Sequence, residues 1–310
     1  MPANYPEMWL NRVERNISDA VNAPWTDGIP EMDTAVVEMG SGTATEANVI
    51  HIPTTDFSVD VLVNNTTYPI AVQSYTDAEV IVSLDKFQSK ATELSDDQVL
   101  GATYNRIDTA TAMHTEAIVA KKYTKAAHAM SPAANTAATP IIVVKGDGTE
   151  AVGERLRCTY NDLVALKAAC DGATPRVPAN RRLVLCDDHW NDLLLDRKWF
   201  GDQLVNYREG SVAPRILGFD LYRYAECPHY NTATKAKLAF GATATATQFQ
   251  GSFVFSPENV AKKTGYTKQY FRLAAIDPEG QSNKLNYRHY FIMMPKRVQK
   301  IAALISAVKA

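Results

Sequence analysis

The chain has 310 residues, 46% of them hydrophobic and 21% charged, which is long enough for one large or two modest domains with a substantial core. Its net charge of −2 disfavours dense nucleic-acid binding, because such binders carry basic domains with a pI above about 9. No apolar stretch approaches about eighteen residues and the N-terminus has no apolar signal region, so we predict neither a membrane span nor secretion.

The first fifty residues show little regular pattern and carry eight acidic against two basic side chains, a net charge of −6. We expect an extended arm with one short helix near residues 8–20. Residues 262–310 have the opposite balance, ten basic against two acidic side chains. Two interpretations stay open: two solvated faces, or opposite ends of neighbouring subunits that attract each other.

Residues 51–94 read as a long, β-rich excursion. Residues 56–63 and 79–87 alternate with the period of strands, and a segment with turn-forming residues separates them. No lysine or arginine occurs between His51 and Asp85. A hairpin of this length is rarely stable alone, so we expect it to need a partner surface in its own chain or on a neighbouring copy. The residues predicted to contact another subunit are Phe57, Val59, Val61, Asn64, Asn65, Tyr68, Ile70, Val72 and Tyr75.

A long helix is predicted to follow. Ser95 is a suitable N-cap with Gln98 three residues later, and apolar residues then recur at gaps of three and four. Ser131-Pro132 ends the pattern. A helix of about 35 residues would be about 50 Å long, enough to brace an elongated subunit.

The second half of the chain indicates an α+β unit with a mostly antiparallel sheet. Lys145-Gly146-Asp147-Gly148 is predicted to turn between two short strands and lacks the pattern of a phosphate-binding loop. A helix capped by Thr159 and Asp162 should end at Asp171-Gly172. Four cysteines lie within this half without C-x-x-C spacing, which favours reduced, buried thiols. Further strands are expected at 181–186, 216–222, 237–240, 251–255, 270–277 and 285–294, with a second helix from Asp187 and a closing segment at 297–308.

Cys186-Asp187-Asp188-His189, directly after a buried strand, is the strongest enzyme-like cluster. Two carboxylates beside an imidazole could bind a metal or perform acid–base chemistry. We favour a structural reading, in which Asp187 caps a helix and Asp188 lies in its first turn, because adjacent helical residues do not face one point. We therefore predict no catalytic, cofactor or metal site.

The order of these parts resembles the tailed-phage major capsid proteins of the Hong Kong ninety-seven fold. Residues 79–87 followed by Ser95-Asp96-Asp97 are similar to the strand that returns from that family's extended loop and enters its spine helix. Residues 177–185 are similar to the axial-domain strand, residues 215–222 to the glycine-containing strand, and residues 287–298 to the final peripheral-domain strand.

The resemblance implies a structural, non-enzymatic subunit of a virion, assembled in the host cytoplasm into pentamers and hexamers of an icosahedral head. Its partners would be further copies, a scaffolding protein, a portal and decoration proteins, and the shell would enclose double-stranded DNA without sequence-specific binding. An encapsulin-like compartment and a metal-dependent α/β enzyme are the alternatives. The resemblance divides the chain into an N-terminal arm (1–50), an extended loop (51–94), spine helix and peripheral domain (95–150), axial domain (151–284) and a return to the peripheral domain (285–310).

Overall fold

In the part of the chain that the structure describes, two β-sheets, of eight and four strands, organise the fold, and three α-helices pack with them. The computed structural model describes residues 21–32, 49–55, 59–70, 72–73, 77–95, 106–196, 205–206, 211–212, 214–277 and 279–309. Its helices are α1 (Arg106–Met130), α2 (Tyr160–Gly172) and α3 (Asp187–Leu195). Its strands are β1 (Val49–Thr55), β2 (Asp77–Ser83), β3 (Asp85–Gln88), β4 (Thr92–Ser95), β5 (Ile141–Val143), β6 (Arg181–Leu185), β7 (Val205–Asn206), β8 (Ser211–Val212), β9 (Arg215–Ile216), β10 (Phe219–Arg223), β11 (His229–Asn231), β12 (Ala236–Lys237), β13 (Gln248–Phe255), β14 (Val260–Arg272), β15 (Ser282–Pro295) and β16 (Ala302–Ile305).

The eight-stranded sheet runs in the order β12-β11-β13-β6-β10-β9, and β16 joins it by pairing with both β13 and β5. Only the β6–β10 and β16–β5 pairs are parallel, so the prediction of a mostly antiparallel sheet is confirmed. Strand β6 is central, and its Leu183 and Leu185 are fully buried beside Leu166 of α2 and Leu193 of α3. The main core therefore lies between this sheet and the two short helices.

Helix α2 begins and ends as its sequence predicts. Thr159 and Asp162 form a reciprocal capping box, and the helix ends at Gly172. The four cysteines, predicted to be reduced and buried, are all free and buried in the structure. The predicted second strand after the Lys145–Gly148 turn is wrong, because the Glu150 carboxylate accepts backbone hydrogen bonds from Asp147, Gly148 and Arg157 and holds this segment in a loop.

The four-stranded sheet is built on the β14–β15 hairpin, with β3 and β4 both pairing with β15. Helix α1 packs on one face of this sheet, where Ile118 contacts Leu285 and Tyr287. The Lys122 ammonium also lies 4.7 Å from the centre of the Phe291 ring. In the part of the chain that the structure describes, no helix is long and apolar enough to cross a membrane.

Two late strands differ in length from their predictions. Strand β14 begins at Val260, ten residues before the predicted start, and β12 ends at Lys237 where a strand to residue 240 was expected. Both limits follow from pairing: β14 continues as far as β15 offers partners, whereas β12 has only two partners in β11.

The start of the predicted long helix lies outside the described residues. Ser95 is the last residue of β4 and pairs with Ser282 of β15, and the described part of the helix runs from Arg106 to Met130. These 25 residues correspond to about 37 Å. Since residues 96–105 lie outside the described residues, the N-cap at Ser95 and the predicted full length stay predictions.

The first strand of the predicted hairpin is also displaced. The hairpin itself is confirmed, since seven antiparallel pairs join β1 and β2 from Val49–Ser83 to Thr55–Asp77. However, residues 59–63 are not in a strand, although residues 56–63 were predicted to be one. The second predicted strand divides at Leu84, which is buried, and β3 then continues in the four-stranded sheet.

Residues 21–32 of the predicted N-terminal arm pack against the rest of the chain. Trp25 is fully buried and its ring lies edge-on to those of Tyr224, Phe253 and Phe255 at 5.6–5.9 Å. The Arg182 guanidinium donates 2.7 Å hydrogen bonds to the carbonyl oxygens of Trp25 and Asp27. Residues 21–32 therefore form part of the core, while residues 1–20, including the predicted short helix, lie outside the described residues.

Candidate subunit interface

The loop beyond the β1–β2 ladder exposes most of its apolar side chains. Val59, Val61, Tyr68, Ile70 and Val72 have exposed fractions of 64%, 80%, 74%, 55% and 96%. All five belong to the predicted contact set. Apolar side chains concentrated on one projecting segment are typical of a surface that another protein covers.

Polar contacts give this loop its local shape. Asp60 and Gln73 join its two limbs, since the Gln73 amide donates to the Asp60 carboxylate at 2.7 Å and accepts from the Asp60 backbone N–H at 3.2 Å. Asn65 bonds in both directions with the backbone of Thr67, as in an Asx turn. Asn64 has φ +54°, a left-handed conformation that asparagine tolerates.

The two asparagines therefore have a conformational role inside the loop. The apolar members of the predicted set are the side chains free to contact a second subunit. Phe57 and Tyr75, the remaining members, lie outside the described residues.

The acidic cluster after β6 does not converge on one point. The Asp187 carboxylate pairs with Arg223 at 2.7 Å, and the half-exposed Asp188 carboxylate lies 3.9 Å from Arg155. His189 is fully buried and points elsewhere. The prediction that Asp187 is the N-cap is wrong by one residue, because Cys186 is the N-cap and Asp187 is the first residue of α3. Both carboxylates still lie in the first turn, where they favour the helix dipole.

His189 is the centre of a buried polar network that sequence reasoning missed. Its Nδ1 lies 2.7 Å from the Ser252 hydroxyl and its Nε2 lies 3.0 Å from the Ser306 hydroxyl. The Ser306 hydroxyl oxygen also accepts from Arg155 at 3.1 Å, and Arg155 forms a two-pronged ion pair with the buried Asp192 at 2.7 and 2.8 Å. Burial lowers the pKa of His189 to about 4, so the imidazole is neutral at pH 7.

This network joins α3 to β13 and to the segment after β16, and water has no access to the imidazole. It therefore stabilises the fold and offers no surface for a substrate. The residues of each hydrogen-bonded pair are between 37 and 151 positions apart in the chain, so no local sequence pattern marks the network. Across the described residues, no group of three or more histidine, cysteine or acidic side chains is arranged to hold a metal ion.

Comparison with known proteins gives a consistent result. The family model described as phage capsid protein matches residues 75–304. No curated protein sequence matches the chain. Among solved structures, the chain is similar to a protein of Mycobacterium phage Che8 at 13% identity, a TM-score of 0.59 and 98% coverage of both chains. It is also similar to the capsid of cyanophage P-SCSP1u, at 17% identity, a TM-score of 0.59 and coverage of 91% of this chain and 90% of the other. For the capsid of Ralstonia phage GP4 the identity is 7%, the TM-score 0.63 and the coverage 99% and 96%.

Proposed function

We propose, because the chain belongs to the phage capsid protein family, that its exposed loop holds copies of the chain together in a closed shell. The chain is a structural major capsid protein with a mixed α+β capsid fold, and its place is the virion capsid. The exposed apolar loop carries the proposal, since it projects from a two-stranded ladder and has no core of its own.

Energetics support contacts between copies at this loop. Full burial of a valine, leucine or isoleucine side chain contributes about 1.5–3 kcal/mol, and a shell repeats the same contact at every interface. Five apolar side chains of the predicted set are more than half exposed in the single chain. Their burial on a neighbouring subunit would offset the entropic cost of ordering the loop.

The finer organisation is part of the same proposal. Copies would form pentamers and hexamers of an icosahedral head in the host cytoplasm, with a scaffolding protein, a portal and decoration proteins as partners. The head would enclose double-stranded DNA without reading its sequence. The division into arm, loop, peripheral domain and axial domain is proposed with the boundaries given above, except that β14 shares the four-stranded sheet with β15, while β5 and β16 belong to the eight-stranded sheet. Residues 21–32 of the arm are tied to the eight-stranded sheet through Arg182.

The enzyme alternative has no support from the cluster that suggested it. Asp187, Asp188 and His189 have separate partners, and the burial of His189 keeps substrates away from its imidazole. A structural role accounts for all three side chains, because each stabilises either α3 or its contacts.

Hydrogen exchange tests the proposal. Backbone amides of residues 59–70 should exchange rapidly in dissociated subunits and slowly in assembled particles, because only assembly covers them.

A chain lacking residues 57–72 should keep the circular dichroism of the folded lobe and fail to close a shell. A matched control lacking residues 241–247, an exposed loop outside the proposed contact, should still assemble. Equal protection of the loop in both states, or shells formed without it, would contradict the proposal.

A further inference from the structure

The four-stranded sheet has a second face, on the side away from α1. Leu285 and Tyr287 of β15 pack with Ile118 of α1 on the first side. Because side chains alternate across a strand, residues 284, 286, 288 and 290 of β15 lie on the second side, together with the residues directly opposite them in β14, β3 and β4. We call this side the basic face after its five cations, which are Lys86, Lys268, Arg272, Lys284 and Arg288.

Acidic partners neutralise the basic face at one end. The Asp277 carboxylate lies 2.9 Å from the Arg272 guanidinium, and the Glu93 carboxylate lies 3.4 Å from the Lys284 ammonium. The Arg272 and Lys284 side chains are 52% and 40% exposed, so both ion pairs stay in contact with solvent and are weak. Five cations and these two acids together carry a net charge of +3.

The cations of the basic face lie directly opposite one another. Lys268 of β14 is in register with Arg288 of β15, and Arg272 is in register with Lys284. Residues directly opposite in an antiparallel pair have Cβ atoms about 4.5–5.5 Å apart, and like charges at this separation destabilise the sheet. Solvent alone gives no reason for such pairs. They indicate an anionic partner that lies across both strands.

Tyr270 lies between the two like-charge pairs. Its ring centre is 5.3 Å from the Lys268 ammonium and 5.2 Å from the Arg288 guanidinium, so the ring favours a fixed position of both cations. The two pairs are four residues apart, which is about 13 Å along the strand. A DNA duplex carries one negative charge per about 1.7 Å of its axis, so phosphate groups can lie against both pairs at once.

The composition of the basic face favours a nucleic acid over a protein as this partner. Centres of protein interfaces are rich in apolar side chains and depleted of lysine. The three rows of paired residues from 268 to 272 of β14 contain one aromatic side chain, Tyr270, and otherwise polar or charged ones. Lys86 and Lys268 are exposed in the single chain. A phosphodiester backbone needs accessible cations and no apolar surface to bind here.

We propose that the basic face lies against the DNA enclosed by the shell, with Lys86, Lys268 and Arg288 facing phosphate groups. This inference rests on the proposed shell function and names the surface that meets the enclosed DNA. Contacts to phosphate groups carry no sequence information, as a shell that encloses any sequence requires.

Duplex binding by dissociated full-length subunits tests the contact. The probe is a fluorescent 30-base-pair duplex, and its affinity is measured by anisotropy at several salt concentrations. Lys86→Gln/Lys268→Gln should weaken binding about tenfold at low salt and lower the slope of log affinity against log salt by about 2, because each lost phosphate contact removes about 0.9. Lys121→Gln/Lys145→Gln is the matched control, with two exposed lysines outside the basic face, and should bind like the unmodified chain.

Acetylation of lysines in assembled particles of the unmodified chain tests the same contact without a substitution. Lys86 and Lys268 should react at least about fivefold more slowly in DNA-filled particles than in empty ones, because phosphate groups cover their ammonium groups. Lys145 should react equally in both. Peptide mass spectrometry measures each rate.

The outcomes separate this inference from the shell function. If the unmodified chain forms no particles, the proposed function fails. If particles form and Lys86 and Lys268 react equally fast in filled and empty ones, the DNA contact is wrong. Protection of both lysines in empty as well as filled particles would assign the basic face to another protein surface and also overturn the inference. An equal loss of salt dependence in Lys121→Gln/Lys145→Gln would place the DNA elsewhere, with the same consequence.

Discussion

Replacement of Trp25 tests whether residues 21–32 are part of the core. The side chain is fully buried, and three aromatic rings surround it at centre distances of 5.6–5.9 Å. Trp25→Ala should therefore lower the free energy of unfolding by about 3–5 kcal/mol, the cost of truncating a large buried aromatic side chain.

Trp25→Phe refines the same test. The indole N–H of Trp25 is buried and has no hydrogen-bond acceptor among the described residues. Phenylalanine removes this unsatisfied donor, whose burial costs about 1–3 kcal/mol, while it keeps an aromatic ring in the site. We therefore expect Trp25→Phe to cost less than half as much as Trp25→Ala.

The assay is urea unfolding of dissociated full-length subunits, followed by circular dichroism because the substitution removes a fluorophore. Val152→Ala is the control, because this apolar side chain is 78% exposed, and it should change the free energy of unfolding by less than about 0.5 kcal/mol. If Trp25→Ala and Val152→Ala have the same small effect, the argument that residues 21–32 are anchored in the core is refuted.

Three further predictions concern the interior and the shell. The pKa of His189 is about 4 in the folded state against an ordinary 6.5, so the unfolded state binds the proton first as the pH falls. The free energy of unfolding should therefore be highest above pH 6.5 and fall by about 3 kcal/mol towards pH 4. His189→Gln should remove this part of the pH dependence, and identical pH profiles of the two proteins would contradict the argument. Asp192→Ala should lower the free energy of unfolding in urea by about 3–5 kcal/mol, because it leaves the Arg155 charge without its partner. A decrease below about 1 kcal/mol would mean that solvent hydrates the Arg155 guanidinium in place of Asp192. Particles boiled in detergent without reductant should give a single band near 34 kDa in gel electrophoresis. The reason is that residues 51–85 contain no lysine that could form a covalent bond to a neighbouring subunit, and the four cysteines are buried. A ladder of covalent oligomers would disprove this.

Local sequence signals predicted the elements whose ends are fixed by local contacts. The capping box of α2 is one example, since Thr159 and Asp162 satisfy each other's backbone groups within one turn. The alternating pattern of residues 59–63 is an equally good local signal, but the strand of the hairpin is Val49–Thr55, because pairing with β2 sets its position. Local strand propensity does not decide between such alternatives when pairing with another strand is possible.

Other features could not be read from the chain because they depend on contacts distant in sequence. The proline-containing segment around Trp25 looks like an arm until Arg182 and the aromatic rings of β13 are in place. The His189 network joins residues from four parts of the chain. The described apolar members of the predicted contact set are exposed in the single chain, and their contact with another subunit stays a prediction.

Electron microscopy of the purified, assembled protein tests the central claim most directly. The account predicts closed icosahedral shells in which density for residues 56–73 of each subunit lies against a neighbouring subunit. Purified protein that forms no particles under any assembly condition, or shells in which this loop contacts no neighbour, would contradict it.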